Sequence, residues 1–456
     1  MLTLLHNATI VNEGRVFVGS VTIDGDKIAQ VTEGHTQVPT TDPTAPRMAI
    51  VDAQGLLLLP GVIDTHVHFR DGGLGDNPAG TFESESRAAL AGGVTSVVDM
   101  PNTNPPTVSL EALERKEAMA AATSAVNYGF MLGATNTNLD QLLSLPPERY
   151  AAIKLFLGSS TGNMLVDNAG VLDRLFAESR KLIVAHCEDE RVIQANLHNF
   201  KLEYQGTPSE QASLHPKVRN TEACFLSTYH AVERARRYGT RLHIAHLSTA
   251  TELSLLSNFD LGQKKITAEV TPNHLWFDDR DYAQLGNLIK CNPAIKSNDD
   301  RLALWAALED GLIDTIATDH APHPLEAKQR PYFDAPSGIP SIQHSLQMML
   351  ESAYATPLDE AERNAMLTLV VQKMCHNPAQ LFGIEGRGYI RHGYKADLVL
   401  VAPRAETVTR QSLHYRCGWS PLEGQTFHTS ISQVFVNGRP SSADDPGHGE
   451  PLRFGC

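Results

Sequence analysis

A chain of 456 residues, 42% of them hydrophobic, carries enough apolar material for one large core and a second small one. Its net charge of −14, with acids and bases interspersed and no basic run, excludes a surface built for nucleic acid or for an anionic membrane. Apolar runs such as LLLLPGVI fall far short of the roughly 20 residues that span a bilayer, the first ten residues lack a charged-then-apolar signal, and the six cysteines show no CxxC or framework spacing, so a cytoplasmic protein with reduced thiols is expected.

In chain order, residues 1–58 read as short strands: NATIVNEGRVFVGSVTIDGDKIAQV alternates apolar and polar residues between Gly and Asp-Gly turns. From about residue 60 to 320 a unit repeats, a short β-branched run followed by a stretch with helical spacing. Eight such runs occur: GVIDTHVHF (61–69), GVTSVVDM (93–100), VNYGFML (126–132), AAIKLFLG (151–158), KLIVAHCE (181–188), RLHIAHLS (241–248), KITAEVTPNHL (265–275) and IDTIATDHAP (313–322). Between them SLEALERKEAMAAATS opens on a capping Ser, TEACFLSTYHAVERARRYG closes on a Gly, and NDDRLALWAALEDG has both signals. Eight alternations predict a (β/α)8 TIM-type barrel over residues 59–384, with a doubly wound open sheet as the competing arrangement. PLEAKQRPYFDAPSGIPS (324–341) reads as a long loop in a usual place for a lid. Residues 385–456 return to short strands, and two ends too small to bury separate cores are expected to share one β-sandwich.

The polar residues inside these runs carry the chemistry. On an extended strand Asp64, His66, His68 and Arg70 project to one face, toward the barrel interior near its C-terminal mouth. A single histidine on a strand is usually a satisfied core residue; two on one face beside a third polar group would be costly to bury without a metal or ligand. Lys154, between apolar neighbours in AAIKLFLG, must be paired, deprotonated or modified, or must reach solvent at the strand end; its neutral amine could capture carbon dioxide as a carbamate. His186 ends the fifth run. His243 and His246 lie three apart in the sixth, so alternation admits only one of them as a ligand and leaves the choice open. Asp319 ends the eighth run, with His320 and His323 close behind. Imidazoles and a carboxylate at several strand ends suit Zn²⁺, with Mn²⁺, Fe²⁺ or Co²⁺ as alternatives.

With these residues the chain resembles the amidohydrolase superfamily, and within it the class I dihydroorotases. The resemblance runs from PGVIDTHVHFRD through GGVTSVVDMPNTNPP, IKLFLGSSTG, AHCED, HIAHLST, AEVTPNHL, CNPAIKS and TDHAPH to GYKADLVLV. It implies two Zn²⁺ per chain: His66 and His68 at the first, a carboxylated Lys154 bridging, His186 and His246 at the second, and Asp319 as both ligand and catalytic base. It selects His246 because the ligand immediately precedes LST. Arg70, Asn102 and His323 would hold the substrate's ring carboxylate, while Asn292 and the backbone around Gly338 and Pro340 would address the ring. The implied reaction is the reversible hydrolysis of dihydroorotate to N-carbamoyl-L-aspartate in pyrimidine synthesis, with a homodimer and association with aspartate transcarbamoylase as further implications. The chain departs from the family pattern in DGG after Arg70, in Asn273 before His274, and in GIPSIQ in the ring-contacting loop.

Dihydropyrimidinases, hydantoinases and allantoinases share the metal site, so the ligands cannot separate them from a dihydroorotase; the carboxylate grip of Arg70, Asn102 and His323 can. An inactive scaffold is a reading of a different class. It would be expected to have lost ligands, and every position is present.

Overall fold

The computed structural model describes residues 2–37, 48–74, 77–158, 164–203 and 206–455. Ser159 to Gly162 of the IKLFLGSSTG motif and Cys456 lie outside the described residues. At the centre are eight parallel strands in chain order: Val62–Val67, Val94–Asp99, Asn127–Phe130 continued by Leu132–Gly133, Ile153–Phe156, Ile183–His186, Leu242–Ile244, Ile266–Val270 and Thr315–Ile316. The third strand breaks at Met131, so that Asn127–Phe130 pairs with the second strand and Leu132–Gly133 with the fourth. The eighth closes on the first through a parallel bridge, Val67 to His320, and a 2.7 Å bond from His68 N–H to His320 O. This closure decides against the open sheet and gives a TIM-type barrel, whose sites are built at the C-terminal ends of the strands.

The predicted helices form where their capping chemistry directs. Leu110–Thr123 starts at Ser109, whose hydroxyl accepts from Ala112 N–H, and Thr221–Tyr238 stops at Gly239, which is left-handed (φ 71°). Asn298–Glu309 is capped one residue earlier than its motif suggests, by a reciprocal pair of Ser297 and Asp300.

Two expectations need correction. The seventh run is a strand only to Val270; Thr271 caps a short helix, Pro272–Trp276, because Pro272 lacks an N–H to donate and suits the first helical turn. The first strand ends at Val67, so Arg70 does not follow its alternation; it enters the mouth from a left-handed backbone (φ 65°). Segment 324–341 is the long loop expected, and it is fastened at several points. It opens with a short helix, Leu325–Lys328, and the buried Lys328 ammonium donates to the carbonyls of Lys290, Pro336 and Gly338 (3.0, 3.0 and 2.8 Å). Lys290 donates to Tyr332 O and Ala335 O.

Both chain ends enter one eight-stranded sheet. Leu57–Pro60 straddles the expected boundary at residue 58 and is its middle strand, parallel to Leu2–Asn12 and antiparallel to Leu398–Ala402. Leu5, Ile10, Ile23, Leu58, Leu398 and Phe435 form a core there distinct from that of the barrel. Among the described residues no helix is long and apolar enough to cross a membrane, and Cys187, Cys224, Cys291, Cys375 and Cys417 are free.

Candidate active site

A cavity of about 340 Å³ opens at the C-terminal mouth of the barrel. The ten residues given side-chain roles by the family resemblance all line it: His66, His68, Arg70, Asn102, Lys154, His186, His246, Asn292, Asp319 and His323. Gly338 lines it too, but Pro340 does not. At Gly338 (φ 146°) a Cβ would stand 2.3 Å from Ala321 O, so only glycine brings the loop this close.

His66 and His68 aim their Nε2 atoms at Asp319 Oδ1, 3.3 and 3.0 Å away. Their other ring nitrogens donate, His66 Nδ1 to Glu269 Oε1 and His68 Nδ1 to Asn102 Oδ1, both at 2.7 Å. These partners fix the tautomer that leaves each Nε2 lone pair free, the usual support of a metal-binding imidazole. Ligand atoms of His66, His68 and Asp319 lie within 4.8 Å of one another, a group able to hold a metal ion. On the far wall His186 Nδ1 and His246 Nε2 approach to 2.9 Å, and Glu188 Oε2 takes His186 Nε2–H, also at 2.9 Å. His243 is elsewhere: it is fully buried, bonded to Thr267 and Thr315, and does not line the cavity.

Burial governs the electrostatics. It pushes Lys154 down to about 8 and lowers His66, while His68 falls well below its ordinary range through burial and the nearby Arg70. Asp319 is raised, again chiefly by burial. Burial would also raise Glu188, but Arg219 and His186 outweigh it and hold the carboxylate at about 2. Glu269 likewise stays well below the carboxylate range because His66 and His243 overcome its burial.

Among the described residues, four that line the cavity each hold a buried polar atom without a hydrogen-bond partner: Arg70 Nε, Lys154 Nζ, His246 Nδ1 and Asn292 Oδ1. Buried polar groups are normally paired, so such a cluster around one cavity marks a place for ligands. The donor set suits divalent metal. Imidazole lone pairs converge on a carboxylate, and a buried amine of lowered basicity stands between the two walls.

Sequence reasoning missed the residues that hold this set. Glu269 could have been flagged as Lys154 was, being a charge inside the apolar strand ITAEV. Glu188 is an acid two positions past a candidate ligand. Arg219, which lines the cavity and ion-pairs with Glu188, comes from a segment with no strand or helix signal of its own.

A closed barrel with imidazoles, a carboxylate and a buried lysine at its C-terminal mouth defines a hydrolase site of the metal-assisted kind. Comparison with known proteins agrees: the model of the amidohydrolase family matches residues 57–440. The chain is 37% identical over 370 residues to a dihydroorotase of Halobacterium salinarum, covering 80% of this chain and 82% of that one. It is 27% identical over 446 residues to an allantoinase of Salmonella paratyphi B, covering 95% and 94%. Among solved structures an L-hydantoinase from Arthrobacter aurescens superposes with a TM-score of 0.86 at 26% identity, covering 99% of this chain and 97% of that one. The chain belongs to the amidohydrolase family and is a cyclic amide hydrolase.

Proposed function

We propose that this enzyme is a dihydroorotase, opening (S)-dihydroorotate reversibly to N-carbamoyl-L-aspartate in pyrimidine synthesis. The observation that carries the reading is Arg70. Its guanidinium is buried at the cavity wall with Nε unpartnered, Nη2 lies 3.2 Å from His323 Nε2, and Asn102 stands beside His68 with its Oδ1 already used, leaving its amide N–H groups for a ligand. A buried cation with no carboxylate partner among the described residues fits a ring that brings its own carboxylate. Hydantoin, dihydrouracil and allantoin have none, and would leave Arg70 unmatched.

The residues fit two divalent ions, which we assign as Zn²⁺. His66, His68 and Asp319 would hold one, His186 and His246 the other, with Lys154 as a carboxylated bridge. When bound, the ions supply Lewis acidity toward the scissile carbonyl and lower the pKa of water toward roughly 7. The protein's own residues do the rest. Arg70, Asn102 and His323 fix the carboxylate and Asn292 the ring edge, so that the amide is held against the attacking water. Asp319, whose carboxylate faces both His66 and His68, accepts the water's proton and passes it to the departing ring nitrogen. The synthetic direction retraces these steps.

Steady-state kinetics of Arg70→Met test the grip. A desolvated charged contact worth about 3 kcal/mol corresponds to a KM for dihydroorotate raised about 100-fold. An unchanged KM would place the carboxylate elsewhere and remove the ground for this substrate.

A further inference from the structure

Two arginines border the cavity. Arg70 follows the first barrel strand. Arg219 reaches the cavity beside the fifth, where its Nη1 pairs with Glu188, two residues beyond His186. In a barrel of eight strands the first and fifth face each other across the axis.

Arg219 is held where it stands. Its side chain is 11% exposed, and Glu188 Oε2 receives both Arg219 Nη1 and His186 Nε2, while Glu188 Oε1 is buried without a partner. A guanidinium has five N–H donors in a fixed fork. Pairing with one carboxylate oxygen occupies only part of that fork, and Arg219 lines the cavity in which the ring would sit. The position is therefore a rigid, largely desolvated donor on the wall away from the carboxylate grip.

The chemistry of the ring says what would meet it. In dihydroorotate the atom across the ring from the carboxylate-bearing carbon is the leaving nitrogen, flanked by the carbonyl under attack and by the urea carbonyl. With the carboxylate at Arg70, the urea oxygen is the polar atom left for the opposite wall. We propose that Arg219 is a catalytic residue that donates hydrogen bonds to this urea oxygen, and so recognises the cyclic ureide class, while Arg70 selects the acidic member within it. This rests on the ureide reading of the site.

During hydrolysis the water oxygen bonds to the scissile carbonyl carbon, and the bond from that carbon to the ring nitrogen breaks. Its electron pair goes to the nitrogen and spreads through the urea onto the oxygen facing Arg219, until the proton carried by Asp319 reaches the nitrogen. The Arg219 contact strengthens as that charge builds, so it lowers the barrier more than it tightens ground-state binding.

The test uses the metal-loaded enzyme, Arg219→Met and Arg219→Lys, with metal content measured for each. The substrates are whichever ring the wild type opens and its 2-thio analogue, whose sulfur is a weaker acceptor. Relative to the alkaline ring-opening rates of the same two compounds, the wild type should prefer the oxo ring. Arg219→Met should lose about 100-fold in kcat, with a smaller change in KM, unchanged metal content and no remaining oxo preference. Arg219→Lys keeps the ion pair but loses the fork; it should show an intermediate kcat and a reduced preference, and it decides alone if the Met variant does not fold. A kcat close to wild type would overturn the proposal. So would a lost kcat with the oxo preference intact, or one restored by added zinc, either of which would make Arg219 only a support for Glu188 and His186. If the wild type opens hydantoin but not dihydroorotate, the substrate reading fails while Arg219 is still tested on the hydantoin pair.

Discussion

Arg70, His246 and Asp319 all reach the cavity from left-handed backbone, with φ of 65°, 37° and 49°. Non-glycine residues held there cost free energy, and they gather where surrounding structure over-determines them. At His246 the constraint is visible: Glu269 Oε1 accepts both the backbone N–H of His246 (3.1 Å) and the ring N–H of His66. One carboxylate thereby orients a side chain on each wall. This geometry predicts that His246→Ala loses bound metal on elemental analysis while His243→Ala keeps the wild-type content, since His243 does not line the cavity and hydrogen-bonds to Thr267 and Thr315. The reverse result would overturn the assignment of the sixth strand. Strand alternation could not have chosen between the two, because the strand ends at Ile244 and the backbone turns before His246. Residue types at strand ends were legible in the sequence. Their orienting partners were not, because Glu269 lies 203 positions from His66 and nothing local links them.

At the level of elements, the barrel strands are short and buried apart from the partly exposed Ile266, and the loops after them carry the site. The loop ending at Gly338 illustrates the point. Its Pro and Gly content marks a loop, and two buried lysines with no carboxylate at either ammonium among the described residues bind four of its carbonyls, those of Tyr332, Ala335, Pro336 and Gly338. Composition shows that such a loop lacks regular structure, but not that distant ammonium groups replace the missing ladder. Lys328→Met would free the Pro336 and Gly338 carbonyls and loosen the wall that meets the ring. Since a hydrogen bond to a charged group contributes about 1.5–3 kcal/mol, KM for dihydroorotate should rise roughly tenfold or more, with kcat changed by less than about threefold. An unchanged KM in steady-state assays would mean that the loop keeps its shape without the clamp. The TPNHL segment teaches the complementary lesson. Its apolar run continues the strand on paper, but a capping Thr followed by Pro turns it into a helix, and those two residues were available to be read.

Across the whole molecule the two chain ends do more than complete a sheet. The indole N–H of Trp419 donates to His323 O at 2.8 Å, and the backbone N–H of Arg416 bonds to Glu85, whose other oxygen takes His320 Nε2. The C-terminal segment thus braces the loop that carries Asp319 and His323. The repeat of eight strand-helix units made the barrel legible, but not this bracing, which depends on contacts across 96 positions between His323 and Trp419. The metal ligands stand apart from the unmatched Arg70, which fits a ring that carries a carboxylate. The most direct measurement incubates the metal-loaded enzyme in parallel with dihydroorotate, hydantoin, dihydrouracil and allantoin and follows ring opening. The highest kcat/KM is expected for dihydroorotate, with N-carbamoyl-L-aspartate cyclised in reverse; turnover of a neutral ring with none of dihydroorotate would overturn the carboxylate reading of Arg70.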